Sequence, residues 1–245
     1  LRFVLEVFAS DGFVHPGRDA YLTILMGFHP DVTGADDEFI AAVRALKYPN
    51  LPAFLNPVIF PLFRWVIKRQ VRDVKTVADF QARISGYLDH MIQTRVDKLT
   101  LSGLDKLSTN DSYLFVSNHR DITLDPAFVN YALFHKFNKT VRIAIGDNLL
   151  TKDFATKLMR INKSFIVKRS EKAPRKMLAA LRELSEYISH SLKNDQHCVW
   201  IAQKEGRAKD GVDRTDAAII KMFAINDGRG EDFASFIKSF KLVRV

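Results

Sequence analysis

The sequence predicts an α/β fold: a largely parallel mixed sheet flanked by helices and preceded by a helical N-terminal segment. Three observations predict it. Short runs rich in β-branched and aromatic residues recur at Tyr113–Ser117, Val141–Ile145, Ser164–Lys168 and His197–Ala202, each of strand length. Helix-like stretches at 125–137, 151–160 and 174–192 lie between them, and strands alternating with helices build a layered, mainly parallel sheet. Before Asp97 the apolar residues recur instead at helical spacing.

Residues 1–35 carry turn signals at His15-Pro16-Gly17 and His29-Pro30 but no period, and receive no assignment. Residues 36–97 read as a helical lead-in. The acidic run Asp36-Asp37-Glu38 ahead of Phe39, Ile40, Val43 and Leu46 opens a short helix that ends before Pro49, its carboxylates matching the helix dipole. Leu51 to Ile67 is the most apolar stretch, yet three prolines, Asn56 and Arg64 deny it the roughly 18 uninterrupted apolar residues that a span requires. Its apolar residues, among them Phe54, Val58, Leu62, Phe63 and Trp65, are followed by Lys68, Arg69 and Arg72, which suits docking on an anionic membrane surface. Burial against neighbouring elements is the alternative. Thr76, with Asp79 three residues on, starts the next helix, where Val77, Phe80, Ile84, Leu88, Met91 and Ile92 form one stripe. From residue 98 to 245 the strand and helix alternation defines an α/β domain. The sequence stops inside an apparent strand, Lys241–Val245, so this domain is expected to be incomplete at its C-terminus.

Over 245 residues, 47% hydrophobic and 27% charged content excludes a disordered or collagenous chain. The single cysteine, Cys198, excludes an internal disulfide and a cysteine-cluster metal site, and points to a reducing compartment. Its apolar surroundings make it a core residue rather than a reactive thiolate. The formal net charge is +9, distributed as −3 over residues 1–50 and +12 over the rest, so an anionic partner is expected to meet the later part of the chain. Nucleic acid is not expected, because the basic loops lack interleaved aromatics for base stacking.

Chemistry in a parallel sheet belongs at the carboxyl ends of the strands. The first strong strand runs into Ser117-Asn118-His119-Arg120-Asp121-Ile122-Thr123-Leu124-Asp125-Pro126. A histidine just past a strand with a nearby carboxylate supplies a general base whose tautomer the carboxylate holds. On local physics alone, Asp125 before Pro126 reads first as a helix N-cap with proline at the next position. Three further strand ends are polar or basic: Gly146-Asp147-Asn148, Lys168-Arg169, and Gln203-Lys204-Glu205-Gly206-Arg207-Ala208-Lys209. Arginine forks and lysine point charges bind phosphate, and Gly206 and Gly211 allow tight turns in the last loop. A solvated basic loop is the alternative for any one of them.

Four blocks in order, 117–127, 145–150, 162–170 and 200–211, resemble the glycerolipid acyltransferases, which include glycerol-3-phosphate and 1-acylglycerol-3-phosphate acyltransferases. The resemblance covers about residues 98–245. It implies transfer of a fatty acyl group from a thioester, acyl-CoA or acyl-carrier protein, to a hydroxyl of glycerol 3-phosphate or its acylated form, without metal or bound cofactor. His119 is then the general base and Asp125 its partner. Asn118, Lys168, Arg169, Glu205, Gly206, Arg207 and Lys209 become the substrate-binding set. A cytoplasmic enzyme, peripheral at the inner face of the cell membrane, is the expected location. Two departures stand out: the family places four residues between its His and Asp, where this chain has five, leaving Asp121 as the rival partner; and the family's Phe-Pro-Glu-Gly-Thr-Arg block appears as Ala202-Gln-Lys-Glu-Gly-Arg207. A non-catalytic protein that binds anionic lipid or nucleic acid through the same loops is the competing reading.

Overall fold

The computed structural model describes residues 4–8, 40, 41, 44, 50, 52–150, 156, 159–208, 214–225 and 233–245. They fall into two compact units. One comprises residues 1–7, 99–149 and 163–245; the other comprises 8–98 and 150–162.

In the second unit, helix α1 (Asn56–Val71) carries Pro57 in its first turn and Pro61 inside it, with Lys68 and Arg69 in its last turn. Pro57 costs little there because the first-turn N–H groups have no intrahelical acceptor. The helix runs through both prolines. Helix α2 (Val77–Arg95) begins with the reciprocal cap that Thr76 and Asp79 predict: Asp79 N–H donates to Thr76 Oγ1 at 3.1 Å, and Thr76 N–H donates to Asp79 Oδ2 at 2.9 Å. Phe80, Leu88 and Met91 of its stripe are buried. The helix expected after Asp36 lies mostly outside the described residues, and so does the helix at 151–160; Ile40, Ala41 and Arg44 of the former, and Arg160 of the latter, are helical.

In the first unit, the sheet runs in the order β5-β4-β6-β3-β7. Its strands are β3 (Leu114–Ser117), β4 (Arg142–Gly146), β5 (Ser164–Val167), β6 (Val199–Ala202) and β7 (Leu242–Arg244). Every pairing within it is parallel, with Ser117 opposite Ala202 and Gly146 opposite Val167, so all carboxyl ends lie on one edge. A separate two-stranded sheet joins β1 (Val4–Phe8), in the segment that received no assignment, to β2 (Lys98–Ser102), where Leu99 and Leu101 alternate.

The crossovers decide which face each helix covers. The β3-to-β4 and β5-to-β6 connections cross the sheet in opposite directions, so right-handed crossovers place their helices on opposite faces. Helix α3 (Leu124–Phe137) accordingly packs Val129, Ala132 and Leu133 against Phe115, Ile143 and Trp200. Helix α4 (Pro174–Lys193) packs Leu184, Ile188 and Leu192 against Leu114, Val199 and Ile201 on the other face. Helices α5 (Ala217–Phe223) and α6 (Phe233–Ser239), which the sequence reading did not predict, join α4 through Met222, Phe223, Phe236 and Phe240. With both faces covered, every residue of β3 and β6 is buried, which is why those strands read as apolar runs rather than alternations. Each large apolar side chain so buried contributes about 1.5–3 kcal/mol.

Candidate active site

The loop leaving β3 folds back through two successive side-chain-to-backbone turns. Asp121 Oδ1 accepts the N–H groups of Thr123 at 2.9 Å and Leu124 at 2.8 Å, which satisfies the first donors of α3 in place of an N-cap side chain, since Thr123 supplies none. Asp125, in the first turn of α3, reaches back. Its Oδ2 accepts Arg120 N–H at 2.7 Å and Asp121 N–H at 2.9 Å, and lies 3.2 Å from His119 Nδ1. Asp125 is therefore not the N-cap that local physics favours. Of the two aspartates, Asp125 sets a carboxylate oxygen against the imidazole, while Asp121 Oδ1 is engaged with the first backbone donors of α3.

A carboxylate accepts only, so Nδ1 carries the ring proton and Nε2 is the nitrogen directed away from Asp125. The pair is mostly shielded, with side-chain exposures of 11% for His119 and 19% for Asp125, which strengthens the interaction relative to water. Trp200 of β6 supports the ring from the α3 face of the sheet, its centroid 6.1 Å away in a T-shaped arrangement. The indole Nε1 and Asn118 Oδ1 are buried without a hydrogen-bond partner among the described residues.

The loop after β6 is tied to the same place through its backbone. Gln203 N–H donates to Ser117 O at 2.8 Å, a bond that a proline at this position could not make, and Ala208 N–H donates to His119 O at 2.7 Å. Gln203, 1% exposed, also accepts from Thr215 Oγ1 at 3.0 Å and, through its carbonyl, from Asp216 N–H at 2.8 Å. Gly206 adopts φ +76°, the left-handed conformation that its turn was expected to need. Glu205 and Arg207 are exposed, and Arg207 thus sits one residue from the backbone contact with His119. Lys209 and Gly211 lie outside the described residues.

At the outer strand β5 the two expected phosphate ligands differ. Lys168 Nζ lies 2.6 Å from Glu183 Oε2 of α4, so its charge already has a counter-ion. Arg169 is half-buried, and its guanidinium has no partner among the described residues. Burial pushes the Cys198 thiol above its ordinary pKa, and Tyr113 N–H donates to Sγ at 3.3 Å, which fits a core cysteine. The described residues contain no cluster of His, Cys, Asp or Glu able to hold a metal ion. Sequence reasoning placed Asp147 and Gln203 at polar strand ends and all three of Trp200, Gln203 and Asp147 within the resemblance blocks, but gave none of them an individual role.

Residues 98–217 match the family model Acyltransferase. No curated protein matches the chain. Among solved structures, the chain is similar to the 1-acyl-sn-glycerophosphate acyltransferase PlsC from Thermotoga maritima, with 16% identity, coverage of 85% of this chain and 70% of that one, and a TM-score of 0.37.

Proposed function

From the premise that the chain belongs, through residues 98–217, to the acyltransferase family, we propose that it moves a fatty acyl group from a thioester to a hydroxyl of glycerol 3-phosphate or 1-acylglycerol 3-phosphate. The observation that carries this reading is the His119–Asp125 pair at the end of β3, beside a loop whose exposed Arg207 has no side-chain partner among the described residues. His119 Nε2 takes the hydroxyl proton as the oxygen attacks the thioester carbonyl. The carbon–oxygen bond forms, the carbon–sulfur bond breaks, and the proton passes to the departing sulfur. Asp125 holds the ring and balances the imidazolium charge. The substrate oxygen is itself the nucleophile, so no covalent enzyme intermediate is needed. Arg207 and Arg169 hold the acceptor phosphate by charge-assisted hydrogen bonds. Strands β3 and β5 are three interstrand steps apart, about 14 Å, a span that a long arginine side chain and a glycerol phosphate bridge together. Incubation with labelled acyl-CoA, or acyl-carrier protein, and each acceptor tests the reading. It expects a new acylated glycerol phosphate; transfer only to acceptors without phosphate would overturn it.

The same reading accounts for α1. Phe54, just ahead of it, and Val58, Leu62 and Trp65 recur every three or four residues and are 78%, 72%, 54% and 58% exposed. Arg69 lies over Trp65 at 5.5 Å, and exposed Lys68 and Arg72 flank it. No described helix is long and apolar enough to cross a membrane. An exposed apolar face with a basic end suits the plane of an anionic bilayer surface, into which a lipid product would pass. Co-sedimentation with vesicles containing anionic lipid is expected, weakened by salt and by Leu62→Glu with Trp65→Glu; no binding at low salt would refute docking.

A further inference from the structure

We propose that Gly146 and Asp147, at the end of β4, are positioning residues that set Arg169 to receive the acceptor phosphate and so help to determine acceptor specificity. The proposal rests on the reading that Arg169 binds that phosphate. Gly146 pairs with Val167, so the residues following each strand stand side by side at the carboxyl edge. Asp147 then clamps the backbone beyond β5 from across the strand gap. Its Oδ1 accepts Arg169 N–H at 3.1 Å and Ser170 N–H at 3.2 Å, and its Oδ2 accepts Ser170 N–H at 3.2 Å and the Ser170 hydroxyl. Arg169 N–H also donates to Val167 O at 2.9 Å, which tightens the turn in which the arginine leaves the strand.

Gly146 does the same for the side chain. A Cβ at this position would strike Asn148 Oδ1 and would stand 3.0 Å from Arg169 Cδ and 3.2 Å from Nε, so the arginine lies across the bare glycine and a side chain there would displace Asn148 and shift the arginine by a few tenths of an ångström. The arrangement also solves an electrostatic problem. A carboxylate next to an arginine ordinarily pairs with it and neutralises it, but Asp147 is bonded to N–H groups and a hydroxyl, while the Arg169 guanidinium has no partner among the described residues. The Ser170 hydroxyl bond, followed by the backbone bonds, holds the Asp147 carboxyl below its ordinary pKa, so the clamp is charged at neutral pH. Lys168, one residue earlier, has no such clamp and turns to Glu183.

Steady-state kinetics of the full chain with acyl-CoA and the phosphorylated acceptor test this. Arg169→Ala, Asp147→Ala and Gly146→Ala are each expected to raise the acceptor KM about tenfold, the scale of one charge-assisted contact, with donor KM and kcat within about twofold. The double variant Asp147→Ala with Arg169→Ala is expected to be no worse than Arg169→Ala alone, because both changes remove one device. Ser170→Ala, which deletes a single exposed donor, gives a smaller rise and serves if Asp147→Ala does not fold. A normal acceptor KM in Gly146→Ala and Asp147→Ala beside a raised one in Arg169→Ala overturns the positioning role and leaves the phosphate reading standing. Equal rises for donor and acceptor, or additive losses in the double variant, overturn it too. A normal acceptor KM in Arg169→Ala removes the phosphate reading itself, and the proposal with it.

Discussion

The two edges of the sheet hold cations of the same kind in opposite circumstances. At the amino edge, Arg142 at the start of β4 donates to Asp195 Oδ2 at 2.6 Å and Ser191 Oγ at 2.8 Å and lies over the Tyr187 ring, and Lys163 just before β5 donates to Thr140 Oγ1 at 3.0 Å. At the carboxyl edge, Arg169 and Arg207 have no side-chain partner among the described residues. Net charge counts both groups alike. Pairing separates them: a satisfied arginine holds elements together, whereas one without a partner among the described residues keeps its donors available, which is what the proposed phosphate contacts need.

The largest effect expected belongs to the pair itself. His119→Ala should lower turnover by roughly 10²–10⁴ with the fold retained, as circular dichroism and thermal unfolding would check. Asp125→Asn should follow it closely, since the imidazole loses its charged partner. Asp121→Asn should cost little turnover; a larger loss there than in Asp125→Asn would return the dyad to Asp121.

Next comes the contrast between the edges. Arg207→Ala should raise the acceptor KM about tenfold and leave stability within about 0.5 kcal/mol, as for an exposed side chain with no partner among the described residues. Arg142→Ala should do the reverse, losing roughly 1–3 kcal/mol by chemical denaturation while the acceptor KM is unchanged. If both variants altered the acceptor KM, pairing would not distinguish site from scaffold.

The smallest effect is in acid. The hydrogen bond from Arg142, opposed by partial desolvation and aided by charge, holds the Asp195 carboxyl below its ordinary 3.8. Because the folded-state pKa is the lower one, the stabilisation is complete above the unfolded value and disappears as pH falls through the folded one. Asp195→Asn should therefore flatten the fall in melting temperature below about pH 4. An unchanged acid limb would assign that fall to other carboxylates, Asp147 and Asp111 among them, whose pKa values are also lowered.

What the sequence by itself determined is the pattern that repeats along the chain. Strands β3 to β6, their alternation with α3 and α4, and the Thr76–Asp79 cap of α2 were legible because apolar period and capping act within a few residues and accumulate over each element. The short helices α5 and α6 escaped because seven residues carry too little period, and they depend on packing against α4. The site was legible as residue types in order: a histidine, two aspartates, and basic strand ends. Only the tertiary structure decided which of them meet. Asp125 sets its Oδ2 3.2 Å from His119 Nδ1, while Asp121 Oδ1 accepts the N–H groups of Thr123 and Leu124. Lys168 rather than Arg169 is neutralised because Glu183, fifteen residues later, comes within 2.6 Å once α4 covers its face of the sheet. Hydrogen bonds and ion pairs of this kind depend on distance and direction through space, and a parallel sheet brings together strand ends such as Ser117 and Gln203 that lie 86 residues apart in the chain.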